Sequence, residues 1–260
     1  MADSPTIVVA TSGGKDSTAA LLLALSEYPK EQVIPMFNDT GWEHPLLYEY
    51  LDYLEEALDI TFVRTKGSNG RDGSARSTLE ETILAYGNFP SHRLRFCTKQ
   101  LKVKPAAAWL HQNFLRIHKG AEYWLGIRTQ ESYARKKRYE NKKSDETYAF
   151  HEIYRLGDFS NAVREVTRVR FPILDWAEDE VFYYIESRGI KINPLYALDG
   201  NSHVGCYPCM LAGRKAQERT FATAFGQEQL QRIRRLEQLT GRKYNPVDTD
   251  QTTGCMICQA

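Results

Sequence analysis

At 260 residues, with 42% hydrophobic and 26% charged residues, the chain is long enough for one α/β domain with a modest appendage and has the make-up of an ordinary globular protein. A formal net charge of +1 supplies no global electrostatic argument for a nucleic-acid partner. No apolar run is long enough to cross a bilayer and no charged-then-apolar leader opens the sequence, so the expectation is a cytosolic protein with no membrane partner.

Taken in chain order, Thr6 to Ala10 is a continuous β-branched run that suits a strand buried on both faces. It runs into Ser12-Gly13-Gly14, and Ser17 to Leu25 then reads as an Ala- and Leu-rich helix. Val33 to Phe37 is a second strand, Leu46 to Leu58 a helix and Ile60 to Val63 a third strand. Gly67 to Arg76 lacks an apolar period and reads as a loop; Thr78 to Tyr86 and Lys99 to Leu115 read as helices. Tyr123 to Ile127 and Val169 to Ile173 complete the strands, Ala177 to Arg188 is an amphipathic helix closed by Gly189, and a last helix spans about Gln227 to Leu239. Such alternation predicts a doubly wound, mostly parallel, five-stranded α/β sheet over residues 1–200. Residues 201–260 form a small Cys-rich helical extension. No internal repeat or low-complexity tract is present.

The chemistry concentrates in Ser12-Gly13-Gly14-Lys15-Asp16-Ser17. Glycines between a strand and a helix admit positive φ and let backbone N–H groups approach an anion, and the helix directs its unsatisfied N–H groups to the same point. Ser12 and Ser17 add hydroxyl donors and Lys15 a positive charge. Asp16 is the odd member: a carboxylate beside phosphates needs compensation, which a bound Mg²⁺ would supply. The spacing is not that of a Walker loop.

This motif resembles the pyrophosphate loop (PP-loop) of the ATP pyrophosphatases, the adenine nucleotide alpha hydrolase-like superfamily, which cleave ATP between its α- and β-phosphates. Four further segments resemble its phosphoadenosine-phosphosulfate reductase-like branch, so the likeness spans most of residues 5–210. They are Asp39-Thr40-Gly41; Arg95-Phe96-Cys97-Thr98 with Leu101-Lys102 and Pro105; Gly126-Ile127-Arg128 with Glu131-Ser132 and Arg135; and Asn193-Pro194-Leu195-Tyr196 before Gly205-Cys206. The resemblance implies ATP and Mg²⁺ as ligands, held by Ser12, Gly13, Gly14, Lys15, Asp16, Ser17, Asp39, Thr40, Gly126, Arg128 and Arg135. Lys15, Asp16 and Arg128 carry the chemistry. Asp39 is equally well read as a turn-forming residue. The stretch Arg128 to Lys143 holds seven Lys/Arg, of which Arg128 and Arg135 suit forked bonds to phosphate; Lys136, Lys137 and Lys143 read as surface charge.

Two departures separate the chain from a simple reductase. Its loop is complete, which favours ATP, and it ends Gly254-Cys255-Met256-Ile257-Cys258 in place of a Glu-Cys-Gly-Leu-His nucleophile. Five cysteines, four of them in the Cys-x-x-Cys pairs Cys206/Cys209 and Cys255/Cys258, point to metal or redox chemistry. Four thiolates suit either a [4Fe–4S] cluster or a structural Zn²⁺. With Cys97 placed where related enzymes put a cluster ligand, the candidate ligands are Cys97, Cys206, Cys209, Cys255 and Cys258. A redox-active or persulfide-bearing tail is the remaining alternative. The expectation is therefore an enzyme that adenylylates a substrate for sulfur insertion into nucleic acid, DNA phosphorothioation ahead of tRNA thiolation, with a sulfur donor such as a cysteine desulfurase. The alternatives are a sulfonucleotide reductase, a zinc-containing deazaguanine-nitrile synthase and a non-catalytic nucleotide-binding subunit.

Overall fold

The computed structural model describes residues 5–70, 72–113, 120–154, 167–200 and 203–245. Its centre is a six-stranded sheet in the order β3-β2-β1-β4-β6-β5. β1 (Thr6–Ala10) pairs in parallel with β2 (Val33–Asp39) on one side and β4 (Ala121–Leu125) on the other. β3 (Val63–Lys66) extends the sheet beyond β2, and β6 (Thr167–Arg170) extends it beyond β4. β5 (Thr147–Ala149) runs antiparallel along the outer edge of β6. The expected five strands are thus six. A three-residue strand bordered by charged residues carries too little alternation to be seen in sequence.

β1 shows why the sheet must be covered twice. Successive side chains point to opposite faces, so Ile7 and Val9 enter one core with Leu21, Leu51, Leu54, Trp124, Val181 and Ile185. Val8 and Ala10 enter the other with Met36, Leu110, Tyr123, Leu125, Phe150 and Phe171. These four of the five β1 residues are fully buried, and Ile7, Val8 and Val9 each contribute on the order of 1–3 kcal/mol of hydrophobic stabilisation. On the first face lie α1 (Lys15–Glu27), α2 (Pro45–Leu58) and a later helix, Glu178–Ser187.

α2 ends on Asp59 in the left-handed region, and the Phe62 N–H bonds the Glu55 carboxylate at 2.7 Å. This turn delays β3 to Val63, three residues later than the apolar run Ile60 to Val63 implies. α3 (Leu79–Tyr86) starts on a reciprocal capping box between Thr78 and Glu81 and stops at Gly87. α4 runs through three consecutive segments, Phe96–Thr98, Lys99–Val103 of π type and Lys104–Gln112; the last residues of the helix expected there lie outside the described residues. The basic stretch after β4 contains α5 (Tyr133–Tyr139), and β5 leads into α6 (Phe150–Ile153). Then follow α7 (Glu178–Ser187), α8 (Leu195–Asp199), α9 (Arg214–Phe221) and α10 (Ala224–Thr240).

A third core joins the end of the described chain to its middle: Met210, Ile233 and Leu236 pack with Trp42, Leu79, Ile83, Phe89, Phe96 and Leu101. Arg232 fastens the same junction, bonding Glu80 at 2.9 Å and lying 4.2 Å over the Trp42 ring. Among the described residues no helix is long and apolar enough to cross a membrane.

Candidate active site

Strand order reverses between β1 and β4: the chain builds outward from β1 through β2 and β3, then returns to β1's other side. Ligands of open α/β sheets bind beyond the carboxyl ends of the strands at such a switch point. The Ser12–Ser17 loop leaves β1 there, and Gly126 leaves β4 beside it, because Ala10 and Leu125 are register partners.

Two glycines make this junction possible. Gly13 has φ +75°, and a Cβ on it would stand 2.4 Å from the Leu47 side chain on α2. A Cβ on Gly126 would meet the Asp16 carbonyl oxygen at 2.5 Å and the Ser17 nitrogen at 2.7 Å. Gly126 therefore serves by letting the end of β4 press against the first turn of α1. The loop is also tied internally: the Ser12 N–H bonds the Ser17 hydroxyl at 3.0 Å, which in turn donates to the Gly14 carbonyl at 3.0 Å.

Asp16 is fully buried, and its compensation is a protein cation. Arg128 donates its Nε to one carboxylate oxygen, and Lys15 Nζ lies 3.3 Å from the other. Two protein cations thus stand at the carboxylate for which the sequence reading expects compensation by Mg²⁺. Arg128 is only 3% exposed and also bonds the Trp176 carbonyl at 3.3 Å, so its fork faces inward. Lys15 further meets Glu178 at 3.0 Å and lies over the rings of Tyr196 and Phe182 at 5.4 and 5.8 Å.

The Asn193–Tyr196 segment closes the loop from the opposite side. Asn193 donates to the Gly13 carbonyl at 2.9 Å, and the Lys15 N–H donates to the Tyr196 hydroxyl at 2.8 Å. Burial, reinforced by the Asp16 charge, pushes that hydroxyl well above its ordinary range, so Tyr196 keeps a proton to offer an incoming anion.

Arg135 is buried against Glu131, whose carboxylate also accepts the Arg128 N–H at 3.0 Å. His203 lies 3.9 Å from Glu131. Burial, with Lys15 and Arg135 nearby, pushes His203 down to about 4, so it is neutral at ordinary pH. The sequence reading expects Arg135 among phosphate ligands; in the structure it is buried on α5 and pairs with Glu131.

Asp39 lies at the end of β2 but spends its oxygens on the turn, accepting from the Gly41 N–H at 2.9 Å and the Tyr48 hydroxyl at 2.8 Å, with Lys66 at 3.2 Å. Thr40 is buried and donates its hydroxyl to Glu43 at 2.6 Å. Glu43, Lys102, Asn38, Thr11, Ser12 and Gly205 line a narrow polar cleft beside the loop. Glu43 and Glu178 are the site residues that the sequence did not reveal, and Asn193 and Tyr196 stood in it only as members of a resembling segment without a role. The Asn193–Tyr196 motif was the one signal for the last two; nothing near Glu178 marks it.

Cys97 and Cys206 pack against the third core, and the Cys206 thiol lies 3.5 Å from the Thr40 hydroxyl and 4.0 Å from Glu43. Cys97, Cys206 and Cys209 are not disulfide-bonded. Among the described residues no group of three or more His, Cys, Asp or Glu is arranged to hold a metal ion. The described thiols alone do not complete a metal centre, and Cys255 and Cys258 lie outside the described residues.

The switch-point crevice, the glycine loop and the buried cations around it define a nucleotide-handling α/β enzyme fold. A phosphoadenosine phosphosulfate reductase domain model matches residues 6–212, and the chain belongs to that family. A 37.8 kDa protein of Escherichia phage 186, described as uncharacterized, is 31% identical over 278 aligned positions, covering 92% of this chain and 76% of its own length. A Methanocaldococcus jannaschii protein is 27% identical over 205 positions, covering 78% of this chain; the chain spans only 36% of that relative's length. Phosphoadenylyl-sulfate reductase from Candida auris, solved as a phosphate complex, shares the fold with a TM-score of 0.51 at 17% identity, covering 79% of this chain and 83% of its own.

Proposed function

We propose that the chain is an ATP pyrophosphatase that transfers the AMP moiety of ATP to an oxygen of a nucleic acid, which a sulfur nucleophile then displaces. The observation that carries the reading is the complete loop at the switch point, braced by the Gly126 contact and by the Arg128–Asp16 pair. Lys15, Tyr196 and the loop N–H groups would receive the pyrophosphate, where preorganised donors stabilise charge on the leaving group. Mg²⁺ would enter as the counter-ion of the nucleotide. Asp16, with one oxygen bonded to Arg128 and the other beside Lys15, does not need the metal for charge balance.

DNA is favoured over tRNA as acceptor on the resemblance to phosphorothioation enzymes, with a cysteine desulfurase as sulfur donor. A [4Fe–4S] cluster, or Zn²⁺ in its place, would require Cys255 or Cys258 to join Cys97, Cys206 and Cys209.

Sulfonucleotide reduction is the second reading. It is favoured by the family match and by a Vibrio atlanticus relative named phosphoadenosine 5'-phosphosulfate reductase, 23% identical over 205 positions. The complete loop and the different tail speak against it. ATP labelled at the α-phosphate, incubated with DNA, tRNA or small-molecule acceptors, separates the two. Acceptor-dependent AMP and pyrophosphate support the proposal; sulfite release from a sulfonucleotide with a dithiol reductant supplied as the two-electron donor, without ATP turnover, supports the second reading. Iron, sulfide and zinc content of protein purified without oxygen tests the cluster.

A further inference from the structure

The anion seat of the loop contains a movable anion of its own. Four charged groups meet there: Lys15 and Arg128 carry positive charge, Asp16 and Glu178 negative. The two carboxylates differ in every respect that matters for movement. Asp16 is fully buried and bonded to Arg128, with Lys15 beside it. The Glu178 side chain is 53% exposed, sits at the first residue of α7, and reaches Lys15 at 3.0 Å and Arg128 only at 4.0 Å. Asp16 cannot leave without stranding a buried guanidinium. Glu178 can turn into water, where its charge is solvated at little cost.

The charge count makes its departure necessary. The seat is neutral as it stands, and His203, being neutral, adds nothing. Pyrophosphate placed on Lys15 while Glu178 stays would bring a third anion to an ammonium that already faces Asp16 and Glu178, and like charges at that range repel. We infer that Glu178 is a specificity-determining residue: a displaceable counter-anion that leaves Lys15 when a pyrophosphate-bearing ligand binds and returns when pyrophosphate departs. It weakens ligands that need Lys15, such as ATP and pyrophosphate, and is indifferent to AMP, which has no β-phosphate to place there. Its return speeds product release. The inference rests on the reading of the loop as a pyrophosphate seat.

The test is calorimetric titration of inorganic pyrophosphate and of AMP, without divalent metal, into wild type, Glu178→Gln and Lys15→Ala. Glu178→Gln is expected to bind pyrophosphate about two- to fivefold more tightly, the range of a partly exposed ion pair, and AMP equally well. Glu178→Asp, which keeps the charge on a shorter arm, should fall between. Unchanged or weaker pyrophosphate binding in Glu178→Gln overturns the inference, since Glu178 would then be a bystander or a support for Lys15. Equal tightening of AMP overturns it as well. Pyrophosphate binding that is absent from wild type and Glu178→Gln, or unaffected by Lys15→Ala, overturns the reading of the loop itself.

Discussion

Two buried carboxylates of this region, Asp16 in the loop and Glu43 in the cleft beside it, are held by opposite means. Asp16 is held by cations: Arg128 on one oxygen, Lys15 near the other. Glu43 is held by a cage of neutral donors, the Thr40 hydroxyl at 2.6 Å, the Trp42 N–H at 2.9 Å, the Thr40 N–H at 3.2 Å and the Tyr48 hydroxyl at 3.3 Å. Lys102 adds a through-space attraction, yet burial still pushes the Glu43 carboxyl above its ordinary value. An ion pair fixes charge in place at the cost of desolvating both partners; a neutral cage fixes geometry and leaves the charge negotiable. The loop side of the site is thus electrostatic, and the turn side is architectural.

Substitution at the two carboxylates tests that contrast most strongly. Asp16→Asn leaves Arg128 buried without its partner, so a loss of about 3–5 kcal/mol is expected in denaturant unfolding, together with loss of AMP formation. Gly126→Ala drives a Cβ into the Asp16–Ser17 peptide and should cost roughly 1–3 kcal/mol, seen as a lowered denaturation midpoint. Glu43→Gln keeps one carbonyl oxygen for the same donors, and about 1 kcal/mol is expected from the weakened hydrogen bonds. Should Glu43→Gln cost as much as Asp16→Asn, the distinction between paired and caged carboxylates fails.

The smallest effect sharpens the picture of the field around Lys15. Folded His203 stays neutral down to about pH 4, whereas the unfolded residue takes up its proton near 6.5. Between those values the unfolded chain binds more protons, so this residue's contribution to stability declines as pH falls from 6.5 toward 4. The stability difference between wild type and His203→Asn should therefore shift against wild type when both are unfolded at pH 7 and again at pH 5. An identical difference at the two pH values would show that neither burial nor the nearby cations hold the proton off the imidazole.

What the sequence revealed depended on how local each feature is. The loop was legible because a buried strand, two glycines and a helix start are consecutive in the chain. The strands next to it were legible from β-branched runs, and β5 was not, because three residues carry no period. The partners of Asp16 and Lys15 were hidden by distance. Arg128 was singled out, but as a ligand of phosphate; only the fold turns its fork toward Asp16. Glu178 sits in an acidic helix start, Glu178-Asp179-Glu180, that sequence reasoning treats as ordinary dipole compensation. The metal-ligand reading of the cysteines stays an inference from spacing, since two of the five lie beyond the described residues.

The hydrogen bonds from Asn193 and to Tyr196 have a consequence for the order in which the protein becomes competent. Gly13 and Asn193 are 180 positions apart, and so nearly are Lys15 and Tyr196. The loop leaves the ribosome some 180 residues ahead of the groups that fasten it, which emerge only after the strands of the sheet. During synthesis the nascent chain therefore holds the most recognisable part of its site unfinished, and nucleotide capture waits on nearly two hundred residues of chain.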